Sequence, residues 1–167
     1  MLFLYAICFS YAYLSLSAGT GALILFAAVQ ITMISNAVFQ GERLLASQWL
    51  GICLALAGLV YLVLPGLSAP HPAGAALMAA AGVAWGVYSL RGRNSGDPIS
   101  STGGNFLRSV PLVLVIAVMS VAGLKFSLTG VLWAVASGAL ASGLGYVIWY
   151  AALKGLSAAR AATVQLS

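Results

Sequence analysis

Charge is what this sequence has least of. Of its 167 residues, two are acidic (Glu42 and Asp97), seven are Lys or Arg and one is His, so that 5% are charged while 62% are hydrophobic. A water-soluble domain carries about 25% charged residues. So few charges cannot cover a soluble surface, and the chain is built for lipid. One histidine and two acids also cannot supply a Ser/His/Asp set, a carboxylate pair, a Cys/His cluster or a phosphate loop, so neither an enzyme nor a cofactor or metal site is expected. The two cysteines, Cys8 and Cys53, each lie alone in an apolar run. They read as small helix-facing or lipid-facing residues rather than as a disulfide. The net charge of +5 does not mark a nucleic-acid binder, because the basic residues stand singly between apolar runs and form no patch.

What is present is a series of apolar runs of membrane-crossing size. A helix needs about 20 such residues to cross about 30 Å of hydrocarbon. The runs are Met1–Leu16 (short), Ala18–Gln40, Ser47–Leu64, Ala73–Leu90, Gly103–Gly123 and Leu128–Leu153, followed by an opening run Ser157–Ser167. Between them lie breaks with turn chemistry: QGERL, PGLSAPHPAG, RGRNSGDPISS, GLKFS and LKGLSAAR. Met1–Ser17 lacks the positive start of a signal peptide and reads as a spanning helix. Backbone polar groups in lipid must be satisfied within the segment, and the runs are apolar on every face, so helices are expected and a β-barrel is not. The expected fold is an all-α polytopic membrane protein of six transmembrane helices and the start of a seventh.

Lys and Arg set the orientation. Counting alternate loops, Arg43, Arg91, Arg93, Arg108, Lys154 and Arg160 fall on one side and only Lys125 on the other. The richer side is cytoplasmic by the positive-inside rule, which places His71 outside as a turn residue between two prolines. Within this frame one phrase recurs: LSAGTGA at 16–22 and LSAARAA at 156–162. Five crossings separate the copies. An odd number brings the second copy into the bilayer from the opposite side, as in an inverted-topology repeat.

The same residues resemble the EamA-type members of the drug/metabolite transporter superfamily, which are ten helices built as two inverted five-helix repeats. SAGTGALILF…QGERLLASQWLGICLALAGLVYLVL looks like the fourth and fifth helices with the glycine–glutamate–arginine hinge between them. GAALMAAAGVAWGVYSLRGR is similar to the sixth, GNFLRSVPLVLVI to the seventh with its arginine at Arg108, and SGLGYVIWYAALKGLSAARAA to the eighth and the hinge into the ninth. The resemblance implies that residues 1–66 are the last three helices of the first repeat. Residues 67–167 are then the first three helices and the start of the fourth of the second. The chain therefore reads as a fragment lacking two leading helices and the end of its second repeat. One departure is that Val29 and Gln30 stand where family members often have a proline midway along the fourth helix.

Glu42 and Asp97 both fall in cytoplasmic loops, so no span carries a carboxylate. Glu42 with Arg43 reads either as a solvated hinge or as a gate at the cytoplasmic mouth, and Asp97 as turn chemistry. Uncharged polar residues inside the spans are more telling. Gln30 lies near mid-membrane and must find a partner, either a neighbouring helix or a substrate. Thr32, Ser35 and Asn36 occupy another face of that helix, where back-bonding is the ordinary fate of Thr32 and Ser35. Trp85 with Tyr88 and the deeper Tyr146 suit the wall of a pocket, while Trp149 and Tyr150 are placed for the interfacial aromatic belt. Asn105 and Arg108 share a face near the cytoplasmic entrance, suited to an anionic substrate group or to lipid headgroups. Gln165 completes the set of cavity candidates. Small residues at Gly82/Gly86 and at Ser137/Ala141/Gly145 mark close helix contacts.

These readings converge on a secondary transporter of small metabolites working by alternating access across a bacterial inner membrane, and the resemblance implies that amino acids or related metabolites are among them. The family resemblance implies export. The walls of its midplane pocket are expected from the pairs Ala18–Gln40/Ala73–Leu90 and Leu128–Leu153/Ser157–Ser167. The alternative is a non-transporting scaffold packed through the same small faces. Expected partners are the lipid bilayer and a small-molecule substrate, with a homodimer also open and no nucleic acid. Single cysteines replacing Arg43 and Arg91 in the full-length protein should both react with an impermeant maleimide from the cytoplasmic face. Labelling from opposite faces would overturn the orientation.

Overall fold

A computed structural model describes residues 1–64, 70–93, 96–120, 123, 127–153 and 155–165 of the protein. Every regular element among these residues is helical: α1 (Leu2–Ala12), α2 (Ala18–Phe39), α3 (Ala46–Val63), α4 (Pro72–Arg93), α5 (Pro98–Met119), α6 (Leu128–Val135), a π-helical stretch (Ala136–Leu144), α7 (Gly145–Leu153) and α8 (Ala158–Val164). Four stretches are long and apolar enough to cross a membrane: Ala18–Phe39, Pro72–Arg93, Ile99–Met119 and Leu128–Leu153. Leu2–Ala12 and Ala46–Gly58 are shorter apolar helices. Lys125 and Lys154, which enter the charge count above, lie outside the described residues.

Local chemistry sets the helix ends. Both serines of the recurring phrase are N-caps, the position where a hydroxyl satisfies an orphan backbone donor. Ser17 Oγ accepts from the Thr20 N–H at 3.3 Å and donates to Thr20 Oγ1 at 2.8 Å. Ser157 Oγ accepts from the Arg160 N–H at 3.4 Å. The QGERL break is a glycine C-cap of the Schellman type. Gly41 has φ +81°, its N–H donates to the Val38 carbonyl, and the Glu42 N–H donates to the Ala37 carbonyl, each at 2.9 Å. Gly155, after α7, likewise has φ +82°.

Two elements differ from the sequence expectation. Helix α5 starts at Pro98 rather than at Gly103, because Asp97 caps it: its Oδ1 accepts from the Ser100 N–H at 3.1 Å. A proline in the first turn lacks only an N–H that would have had no partner there. Asp97 is thus a helix cap rather than part of a free turn. The run Leu128–Leu153 is helical throughout, but its middle, ASGALASGL, winds as a π-helix. None of those residues is β-branched, and an added Cβ on Gly138 would meet nothing within 4 Å.

Packing divides the chain into two compact units, Met1–Arg91 with Leu156–Ser167, and Gly92–Gly155. This division describes contacts, and it does not follow the repeat boundary at 66/67 expected from sequence. In the first unit Cys8, Ala12, Leu16, Leu25, Met78 and Ala81 form one buried cluster from α1, the turn after it, α2 and α4. Helix α4 meets α2 through its glycines. A Cβ on Gly82 would lie 2.6 Å from the Leu25 carbonyl oxygen and from Ala28 Cβ, and one on Gly86 would lie 2.9 Å from Thr32 Cβ. This is the close contact expected of Gly82/Gly86. Ser137, Ala141 and Gly145, which carry the same spacing, are exposed. In the second unit α5 and α6 expose long apolar rows such as Leu112–Val115 and Leu132–Trp133.

Overpacking a well-filled contact costs about 1–3 kcal/mol. Gly82→Val should destabilise the protein by that much in reversible micelle unfolding, because the obstructing atom is backbone. Gly58→Ala, with nothing within 4 Å, should be neutral or mildly stabilising.

Candidate functional site

Several polar residues of the first unit are satisfied on their own helix. Thr32 Oγ1 donates to the Ala28 carbonyl at 2.8 Å, and Thr163 Oγ1 to the Ala159 carbonyl at 3.1 Å. Asn36 Oδ1 accepts from Gln40 Nε2 at 3.0 Å, which ties it to the end of α2. Gln30 instead bonds to another helix. It is 1% exposed and its Nε2 donates to the backbone carbonyl of Ala162 on α8, a residue 132 positions away. Ala162 lies in the last turn of α8, where carbonyls lack an intrahelical partner. The amide is thereby oriented, and its Oε1 is left buried without a hydrogen-bond partner. Gln165, the C-cap of α8, also has a buried Oε1 without a partner. Leaving such an acceptor unpaired costs about 1–3 kcal/mol. Two on the packed pair α2/α8 make this the polar focus of the unit.

Trp85 and Tyr88 take their place in a chain of rings within the same unit. Along Tyr13, Phe9, Tyr5, Trp85 and Tyr88 the successive centroids are 4.8, 5.5, 5.1 and 5.9 Å apart. Tyr88 is buried and Trp85 half-buried. The α1 rings were not foreseen, although Tyr5, Phe9 and Tyr13 at i, i+4 and i+8 signal one helix face. Glu42 is half-buried and Arg43 exposed, both held where the Schellman turn places them.

Tyr146 belongs to the second unit, in a cavity of about 180 Å³ between α5 and the end of the Leu128–Leu153 helix. One wall is Ile99, Thr102, Gly103 and Phe106, the other Gly143, Tyr146, Val147 and Tyr150. Both quartets have the spacing i, i+3, i+4, i+7 of a single helical face, and each contains one glycine that leaves room. Phe106 and Tyr146 meet edge to face, with centroids 5.3 Å apart and planes at 88°. Tyr150, expected in the interfacial belt, is instead 2% exposed. Its ring lies against Gly92, where a Cβ would be 2.2 Å from Cε1. Asn105 is half-buried and Arg108 exposed. Neither lines the cavity, and the Asn105 carbonyl accepts from Ser109 Oγ at 2.8 Å. No cluster of three or more metal-ligating side chains occurs among the described residues.

Long apolar helices, an almost charge-free sequence and buried amides define an integral membrane protein of the polytopic helical class. The model of the EamA-like transporter family matches residues 72–167, and the chain belongs to that family, within the drug/metabolite transporter superfamily. Members of this family are transporters rather than enzymes. The chain is 51% identical over 166 residues to a Pseudomonas aeruginosa protein described as "Uncharacterized protein PA1977". The match covers 99% of this chain and 58% of that protein, so the chain spans less than two thirds of its relative's length. No solved structure matches it.

An interhelical side-chain hydrogen bond in a membrane protein averages about 0.6 kcal/mol and reaches about 1.7. Gln30→Met, which keeps the length and loses the donor, should destabilise the fold by no more than that in micelle unfolding. Recovering the buried Oε1 desolvation should offset part of the loss.

Proposed function

We propose that the protein is the central part of a secondary transporter that moves small metabolites, amino acids among them, outward across a bacterial inner membrane by alternating access. On this reading residues 1–66 and 67–167 belong to two inverted five-helix repeats, six crossings and part of a seventh lie within the chain, and α2 and α8 are equivalent helices of opposite sense. Their shared N-terminal serine caps support that equivalence.

The observation that carries the reading is the pair of buried amide oxygens on Gln30 and Gln165 that lack a donor. Polar groups within spans are retained where they line a solute path. A solute N–H or O–H would pair these oxygens, whereas a scaffold has no use for them. Gln30, Asn36, Trp85, Tyr88, Asn105, Tyr146 and Gln165 remain candidates for contact with solute along the path. Glu42, Arg43 and Arg108 are candidates for its cytoplasmic gate.

Full-length protein in liposomes provides the test. Counterflow of a labelled amino acid should be measurable and should fall about tenfold, the equivalent of about 1.4 kcal/mol, in Gln30→Met and in Gln165→Leu. Folded protein that moves no member of a metabolite panel would favour the scaffold instead.

A further inference from the structure

The cap at Asp97 relocates one charge. Because α5 begins at Pro98 rather than at Gly103, its membrane-crossing stretch is Ile99–Met119. Arg108 stands nine residues after the start of that stretch and eleven before its end. At 1.5 Å per residue these are about 14 and 17 Å, so the arginine rises from mid-span rather than from the cytoplasmic mouth. A charge at such depth is costly, and it is retained where it meets a counter-charge or a wet cavity. No acid of this chain shares its depth. Glu42 and Asp97 are the only two, and both lie outside the spanning stretches. Asp97 is eleven residues back along the same helix, a separation of about 16 Å. The face is equally specific. Gly104, Asn105 and Arg108 lie on the opposite side of α5 from Ile99, Thr102, Gly103 and Phe106, which turn towards α7. The guanidinium lies back over Gly104, where a Cβ would be 3.7 Å from Nη1, alongside the turn that carries Asn105. Asn105 is half-buried and Arg108 exposed. Neither side chain has a hydrogen-bond or ion-pair partner among the described residues. Further on, the same face becomes Leu112 and Val115, so the polar patch occupies a single depth.

A guanidinium offers five N–H donors in a fixed fork that matches the two oxygens of a carboxylate, and an adjacent amide adds an N–H₂. We propose that Arg108 and Asn105 bind the oxyanion of the transported solute, a carboxylate, which supplies the counter-charge that the acids of this chain do not. This rests on the transporter reading and narrows it. The solute carries a carboxylate, and Arg108 touches it directly instead of only gating its entry. The phosphate of an anionic lipid headgroup offers the same chemistry from another source.

Leucine and leucinamide, each labelled, differ only at the carboxylate, and their binding to full-length protein in nanodiscs can be compared by equilibrium dialysis. Leucine should bind saturably and about tenfold tighter than leucinamide, as a charge-assisted fork requires. Arg108→Gln should bring the ratio to about one, and Arg108→Lys, which keeps the charge without the fork, should restore part of it. If Arg108→Gln fails to fold, Asn105→Ala should narrow the ratio about threefold by removing one neutral donor. Arg91→Gln, which removes a charge from another helix, should leave the ratio unchanged. Phosphatidylglycerol retained by the solubilised protein, counted by native mass spectrometry, should not differ between wild type and Arg108→Gln. No saturable leucine binding, a ratio near one in the wild type, or a ratio that survives Arg108→Gln would each overturn the assignment. Lipid lost with Arg108 while the ratio survives would give the site to a headgroup. The expected ratio without counterflow would leave this site standing and defeat the carrier. Counterflow without any preference for the carboxylate would do the reverse.

Discussion

The first unit depends on the approach of α4 to the backbone of α2. Lipid tails are as apolar as leucine, so helices gain little by hiding apolar side chains from them, and association rests on close packing and hydrogen bonds. Gly82 and Gly86 supply that closeness, because at these points the neighbour is the Leu25 carbonyl oxygen and the Thr32 side chain. Gly74 does the same at the other end of α4, where a Cβ would lie 2.2 Å from Ser15 Oγ. The cluster of Ala12, Leu25, Met78 and Ala81 then fills the space that these approaches define. The aromatic chain from Tyr13 to Tyr88 continues the contact along α1.

Once the helices are close, polarity is distributed sparingly. Hydroxyls at Thr32, Ser109 and Thr163 return to their own helices, and Asn36 is occupied by Gln40. Gln30 reaches across to another helix by a bond between its side chain and a distant carbonyl. An amide fixed through its nitrogen presents its oxygen in one direction, and that is a preorganised acceptor. The second unit has the opposite character: its concave feature is lined by aromatic and apolar side chains.

Much of this architecture was legible in the sequence, and the physics explains which parts. Helix limits are announced by residues that lipid tolerates poorly or that terminate winding, so the breaks QGERL, PGLSAPHPAG and LKGLSAAR marked helix ends before any coordinates. The contact role of Gly82 and Gly86 was readable for the same reason. The first turn of α5 was hidden, because ISSTGG has little hydropathy and its helicity comes from the cap at Asp97. The inward turn of Tyr150 was hidden too, since a tyrosine near a helix end serves a belt or a packed pocket equally well by composition. Nothing local could have paired Gln30 with Ala162: their contact arises from packing between distant segments. The π winding of Ala136–Leu144 escaped notice because α and π forms differ by one residue per hydrogen-bonded ring, and ASGALASGL is compatible with either.

That wider winding has a mechanical consequence. A stretch in which each amide reaches back five residues has poorer stacking along its axis than the α-helical pieces on either side, and such stretches occur frequently at functional sites. It separates α6, with Trp133, from α7, with Tyr146 and Tyr150. Tightening the stretch to ordinary pitch would turn α7 about its own axis relative to α6 and carry both tyrosines round with it. The widened stretch thus sets the rotational position of Tyr146 and Tyr150, two of the rings that line the cavity.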